Sequence, residues 1–413
     1  MLDLLGIQQL RPGADGRNPS APNAVNYDES RASLYSPPAN PLRASEKRSP
    51  VRTSAQWWRS RRPELEKILD REIYGRMPKR VPTVEWKLLE SQEEIQDGIR
   101  VRRKELVGVV DNRGYPAVQV GIRMQLTVPV TKASSSPVIM ELGFIGPNPF
   151  APPGSARPDW HRMVLERGWA VAIVDPRSIQ ADNGAGLRLG IIGITAKGEL
   201  RGPEDWGVLR AWAWGASRAL DYFETDRDVD ATRVAVEGLS RYGKAALVAM
   251  AYDKRFALGL IGSSGAGGAK LLRRDFGERV ENLAAVNEYH WMAGNFLKYA
   301  GPLTTGDLPV DAQHLIALCA PRPLFIGAGA LEGDGWVDPH GSFLAAVAAS
   351  PVYELLGVKG LSGVVYPETG VIAGEGALAF RRHAGGHTAE PNWPAYLQFA
   401  QRHFTAPSPG APR

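Results

Sequence analysis

Three short segments of this 413-residue chain carry side chains that together could run nucleophilic acyl chemistry. The first is Gly238-Leu239-Ser240-Arg241-Tyr242-Gly243-Lys244, where a β-branched run, Val234–Val236, gives way to a serine between glycines. A helix-forming stretch, Ala245–Tyr252, follows at once. A strand, a sharp turn and a helix in that order push a serine Oγ out as a nucleophile. The glycines answer a demand of space, because a Cβ at Gly238 or Gly243 would collide with the neighbouring strand or helix where the backbone doubles back. The spacing G-x-S-x-x-G is one residue longer than the usual G-x-S-x-G. The alternative for Ser240 is an N-cap serine that satisfies free helix N–H groups.

A serine hydroxyl is a poor nucleophile until a base takes its proton, and the base needs an acid to hold its tautomer. The second segment, Leu331-Glu332-Gly333-Asp334-Gly335-Trp336, offers two carboxylates, and the third, His383-Ala384-Gly385-Gly386-His387, offers the imidazole. Their order along the chain is Ser, acid, His, as in α/β-hydrolase triads. The chain has only seven histidines. His387 is the favoured base, with two glycines before it and a helix expected from Trp393, whereas His383 is expected to end the preceding strand as a structural residue. His290 and His340 stand outside that preference. For the acid, Asp334 is favoured over Glu332; in an extended loop the two would point the same way. The Arg241 backbone N–H, with its guanidinium, is placed to hold an oxyanion. Lys244, one helical turn beyond Ser240, faces the same side and suits a hydroxyl-rich substrate. The bland alternative is two solvated cations on a surface helix.

The elements that must position these groups are legible in outline. Residues 1–50 hold Pro37-Pro38 and Asn40-Pro41 without periodicity and are expected to form an extended arm. Ser54–Tyr74 has a helical spacing of Trp57, Trp58, Leu65, Ile68 and Ile73. Thr83–Leu89, Ile99–Val110 and Val118–Val130 read as an antiparallel lead-in. From Pro137 onward strands alternate with helices, the mark of a mostly parallel sheet between two helical layers. Strands are expected at Val138–Leu142, Ala170–Asp175, Arg233–Glu237, Leu258–Gly262 and Pro323–Ala328. Helices are expected at Glu204–Glu224, Lys244–Tyr252, Pro339–Leu356 and Trp393–Phe404. A single catalytic domain over 51–406 is expected, with a lid-like insertion near 264–309 and a disordered tail at 407–413.

Composition narrows the partners. With 44% hydrophobic and 23% charged residues and a net charge of +5, the chain has the make-up of an ordinary globule. The basic patches Arg59–Arg62 and Lys270–Arg274 lack the interleaved aromatics of a single-strand binder, so nucleic acid is not expected. The one cysteine, Cys319, excludes a disulfide framework within the chain or a multi-cysteine zinc site, and its apolar surroundings suggest a buried residue. No apolar run approaches the roughly 18 residues that span a bilayer. No basic, then apolar, leader opens the sequence, which leaves the compartment undecided. Neither H-E-x-x-H nor G-x-G-x-x-G occurs in a fitting context, so no metal or dinucleotide is expected.

The elbow Gly238–Lys244 resembles the G-[CH]-S-R-x-G-K motif of glucuronoyl esterases, carbohydrate esterase family 15. The likeness extends to Asp205-Trp206-Gly207 with Ala211–Gly215, Ser264–Gly268, Phe276-Gly277-Glu278, His290-Trp291 with Asn295-Phe296, Ala320–Pro323 and Asp334–Pro339. It covers roughly residues 27–405. The resemblance implies an α/β-hydrolase that cleaves the ester between a glucuronic acid branch of xylan and a lignin alcohol. It also implies Ser240 as nucleophile, His387 as base and Arg241 as oxyanion support, with Lys244, Glu278 and Trp336, and also Trp291 and His290, on the sugar. Fungal members take their acid from a glutamate where this chain has Ser263, which points to the later loop at Asp334. Leu239 stands where the family has Cys or His, and Gly143–Gly146 lacks its usual Asn. The family is typically secreted, and a monomer without cofactor is expected. Other specificities, acetyl or feruloyl, and a catalytically silent carbohydrate binder remain the rival readings.

Overall fold

The strands are β1 (Val84–Gln96), β2 (Ile99–Val110), β3 (Gly121–Pro129), β4 (Ser136–Leu142), β5 (Ala170–Val174), β6 (Val229–Leu239), β7 (Leu258–Gly262), β8 (Leu324–Gly329), β9 (Ile372–Ala373) and β10 (Leu378–His383). In this computed structural model they form one ten-stranded sheet in the order β1-β2-β3-β5-β4-β6-β7-β8-β10-β9. The structure describes residues 1–32, 39–43, 49–130, 135–146 and 159–405. Pro37-Pro38 and the tail 407–413 lie outside these. The run β5-β4-β6-β7-β8-β10 is parallel, and β1, β2, β3 and β9 are antiparallel additions at the edges.

Strand alternation divides the core. Val138, Met140, Val234 and Val236 face one layer, which contains the helices Val208–Phe223, Arg241–Tyr252, Ala312–Cys319 and Pro339–Leu355. Ile139, Ala235, Leu260 and Phe325 face the other, beneath Asp159–Leu165 and Trp393–Thr405. This is the three-layer α/β architecture expected from the alternation of elements. The sheet order reverses between β5-β4 and β4-β6, and at such a switch point the connections leave to opposite faces and open a crevice at the carboxyl ends of the strands.

Two elements differ from the sequence reading. β1 runs seven residues beyond Leu89, through the polar stretch Glu90–Gln96, whose composition carries little strand propensity. It persists because β2 offers a full row of backbone partners and because Glu93 takes ion pairs from both Arg100 (2.6 Å) and Arg102 (2.8 Å) on that strand. Asp97-Gly98, both at positive φ (52° and 79°), closes the hairpin.

The segment 264–309 is no detached flap. It forms short turns, Val280–Ala284, Tyr289–Trp291, Gly294–Ala300 and Thr305–Asp307, and buries Val280, Leu283, Trp291, Met292 and Phe296 in the main core. The N-terminal segment straps it down: Arg11 Nε donates to Glu281 Oε1 (3.0 Å), Asn26 Nδ2 to Asp275 O (2.8 Å), and Gly277 N to Asn26 O (2.9 Å). No helix of the described residues is long and apolar enough to cross a membrane.

Candidate active site

Ser240 sits directly after β6, next to the switch point. Its N–H donates to Gly262 O at the end of β7 (2.8 Å), and its backbone is held at φ 59°, ψ −127°, a conformation that costs a non-glycine residue energy. The turn is as tight as the glycines suggested. A Cβ at Gly238 would lie 2.3 Å from Tyr242 O, and one at Gly243 would lie 2.7 Å from Gly262 O. The hydroxyl makes no capping bond to the helix it precedes, so it is not used as an N-cap.

Asp334 ends a short helix, Leu331–Asp334, after β8 and is 3% exposed. Its Oδ1 accepts from His387 Nδ1 at 2.6 Å, while Oδ2 accepts from Ser263 Oγ at 2.5 Å and from Gly329 N at 2.7 Å. A carboxylate on Nδ1 fixes that nitrogen as the protonated one and leaves Nε2 with its lone pair, which is the tautomer a general base requires. The His387 side chain stays 43% exposed. Among the described residues no hydrogen bond joins Ser240 Oγ to this ring. Both lie at the carboxyl ends of parallel strands, after β6 and after β10, and such bonds often tighten only around bound substrate.

Glu332, the alternative acid, is the correction. The loop is helical and not extended, so residues two apart point to different sides. Glu332 is exposed and, among the described residues, makes no bond to His387. His383 ends β10, buried, with Nε2 against Thr388 O (2.8 Å) and Nδ1 accepting from Gly385 N (3.0 Å); it shapes the turn that presents His387. His340 lies elsewhere, stacked on Tyr366 and bonded to Glu29.

The oxyanion and sugar candidates form a second cluster. Arg241 opens the elbow helix, where backbone N–H groups have no intrahelical acceptor, and its guanidinium is 38% exposed. Lys244 is buried. Its ammonium donates to Ser264 O and Ala266 O (2.7 Å each) and to Glu278 Oε2 (3.0 Å), which accounts for all three of its protons. Glu278 Oε2 also accepts from Ala266 N (2.9 Å). The pair therefore clamps the 264–278 segment, and Glu278 Oε1 is left without a protein donor among the described residues. Trp336 is partly exposed, with the segment at Gly16 against its ring.

His290 and Trp291 were expected on the sugar. Both are nearly closed to solvent, at 1% and 3% exposure, and both turn their N–H groups to Asp182. Two participants, Asp182 and Glu288, escaped the sequence reading, and Ser263 entered it only as the position where fungal members have their acid. Glu288 Oε2 is buried without a partner among the described residues, and burial, then the nearby Glu278 charge, pushes its carboxyl up to about 7. Nothing in the local sequence marks them, because their roles arise from loops far apart in the chain.

Comparison with known proteins shows which family the chain resembles over its length. The family model described as glucuronyl esterase, fungi, matches residues 119–357. Carbohydrate esterase MZ0003 from an unknown prokaryotic organism is 32% identical over 93% of this chain and 93% of its own length. A 4-O-methyl-glucuronoyl methylesterase of Hypocrea jecorina is 35% identical over 37% of this chain and 34% of its own. Among solved structures, a CE15 glucuronoyl esterase from Teredinibacter turnerae T7901 superposes with a TM-score of 0.89 at 42% identity, covering 98% of each chain. The match spans more than half of the sequence and nearly the whole fold, and so this chain belongs to the glucuronoyl esterases, carbohydrate esterase family 15.

Proposed function

We propose that this chain hydrolyses esters of glucuronic acid and its 4-O-methyl derivative, as in links between glucuronoxylan and lignin alcohols. Ser240 Oγ attacks the uronate carbonyl as His387 Nε2 takes its proton. Asp334 keeps the ring oriented and stabilises the imidazolium that forms. The tetrahedral oxyanion lies against the N-terminus of the elbow helix and the Arg241 guanidinium. Collapse of the intermediate breaks the bond to the leaving alcohol, which His387 protonates, and water then cleaves the acyl-serine by the same steps. Glu278 Oε1 accepts from a sugar hydroxyl, with Lys244 holding that carboxylate in place. Trp336 stacks on the ring, and His290 and Trp291 support the wall through Asp182.

The observation that carries this reading is the 2.6 Å Asp334–His387 bond at the carboxyl ends of the parallel strands, where Ser240 is held in a strained elbow. The test is turnover of the methyl or benzyl ester of glucuronic acid beside acetylated xylan. The glucuronate ester is expected to be the better substrate, Ser240→Ala to abolish its turnover, and Glu332→Gln to stay within about twofold of the parent. Equal activity on acetylated xylan would reject the specificity, and loss with Glu332→Gln would reject the acid.

A further inference from the structure

Asp182 lies in the turn after β5, and neither the motifs nor the esterase scheme gives it a task of its own. Its Oδ2 accepts from Arg241 Nη1 at 2.7 Å, and its Oδ1 accepts from Trp291 Nε1 at 2.6 Å and meets His290 Nε2 at 2.9 Å. The Arg241 guanidinium in turn lies over the Trp291 ring, 5.2 Å from its centroid. We propose that Asp182 is a positioning residue for the oxyanion step: it aims the Arg241 guanidinium at the reacting carbonyl and holds the indole on which that guanidinium rests. The inference rests on the esterase reading above, with Ser240 as nucleophile.

The physical case begins with Arg241 itself. A long side chain at the mouth of a cleft has many rotamers, and a donor must already be aimed when charge develops on the oxyanion if it is to stabilise it without reorganisation. Asp182 holds a single terminal nitrogen. Among the described residues Arg241 makes no other side-chain hydrogen bond, so its remaining N–H groups are free to meet the substrate.

The acid is itself held still. In the same loop Gln180 Nε2 donates to Gly186 O (2.6 Å), Ile192 N donates to Gln180 Oε1 (3.0 Å), and Trp212 Nε1 donates to Gln180 O (2.9 Å). Asn183 Oδ1 accepts from Gly186 N (2.8 Å). The loop is thus tied to the core on both sides of residue 182. Asp182 also keeps its charge. Burial raises its pKa, but the bonds from His290, Trp291 and Arg241 outweigh that and hold the carboxyl at about 2.

A structural ion pair would look similar in a static picture, and a mutant cycle separates the two. On benzyl glucuronate, Asp182→Ala is expected to lower kcat about 30-fold or more while KM moves less than about threefold. Asp182→Asn keeps an oxygen acceptor and is expected to recover part of that loss; it also serves if the alanine variant fails to fold, which thermal unfolding reports. Combining Asp182→Ala with Arg241→Gln should be no slower than Arg241→Gln alone, within about twofold, because a positioning residue has nothing left to position. Losses that multiply, or an Asp182→Ala enzyme within twofold of the parent, would overturn the proposal. Turnover by Ser240→Ala in the same assay would instead reject the esterase reading and leave the Asp182 result to be judged apart from it.

Discussion

Asp334 and Glu237 are two acids of almost equal burial, 3% and 2% exposed, one in the short helix after β8 and one on β6, yet their surroundings are opposite. Asp334 receives three donors, from His387, Ser263 and Gly329, so both of its oxygens are bonded although they are out of water. Glu237, three positions before the nucleophile on β6, receives none among the described residues. Its register partner on β4 is another acid, Glu141. Both lie on the sheet face that carries Ile139 and Ala235, beneath Trp393 and Tyr396. Burial, followed by the charge of Glu390, pushes Glu141 up to about 7, and burial, then Glu141 and Glu390, raises Glu237 well above the ordinary range. Tyr396, whose buried hydroxyl has no partner among the described residues, is raised as well, by burial and then by Glu237. Burial alone does not decide whether a carboxyl can act as an anion. The donors aimed at it do.

The largest effect should come from removing the charge where it is supported. Asp334→Asn leaves the size of the residue unchanged but presents an amide to His387 Nδ1, favouring the wrong tautomer, and kcat on glucuronate esters should fall about 10³–10⁴-fold with KM little changed. Equal kcat in the variant would end the contrast outright. A smaller effect tests the support itself. Ser263→Ala removes one of the donors to Asp334, and it should lower kcat about tenfold and cost about 1–2 kcal/mol in denaturant unfolding. Unchanged values on both counts would mean that the remaining donors suffice.

The smallest effect concerns the unsupported acids. A carboxyl with a raised pKa binds its proton more tightly in the folded chain. Its contribution to stability is therefore full below the unfolded value near 4.5 and is lost as pH rises toward the folded value, about 7 for Glu141. Glu237→Gln removes part of that dependence. Between pH 5 and pH 8 its Tm should fall about 2–4 °C less than the parent's, as measured by calorimetry at both pH values. Parallel pH profiles would show that these acids do not sharpen the comparison with Asp334.

Much of this was legible residue by residue. Gly238 and Gly243 announced the elbow because only a missing Cβ tolerates backbone oxygens within 3 Å. The continuous apolar runs from Val138 onward, alternating with helices, announced the parallel sheet because both of its faces are covered. Glu90–Gln96 was not legible as strand, since its pairing depends on β2 and not on its own propensity. The segment 264–309 read as a lid-like insertion into one domain. The structure shows its apolar side chains in the common core. Glu332 and Asp334 could not be told apart by spacing alone, because that choice depended on whether residues 331–334 were extended or helical.

The sequence by itself determined the chemical types available: one serine on an elbow, an imidazole after two glycines, an acid between them in chain order, and the alternation that makes a three-layer fold. These follow from local rules of sterics and periodicity, which act over a few residues. Only the tertiary structure decided which acid meets His387, that Ser263 braces it, that Lys244 is committed to Glu278, and that Asp182 gathers Arg241, His290 and Trp291. Each of those contacts joins loops from different strands. Hydrogen bonds between them depend on where the twisted sheet carries each strand end, a property of the whole fold that no short window of sequence contains.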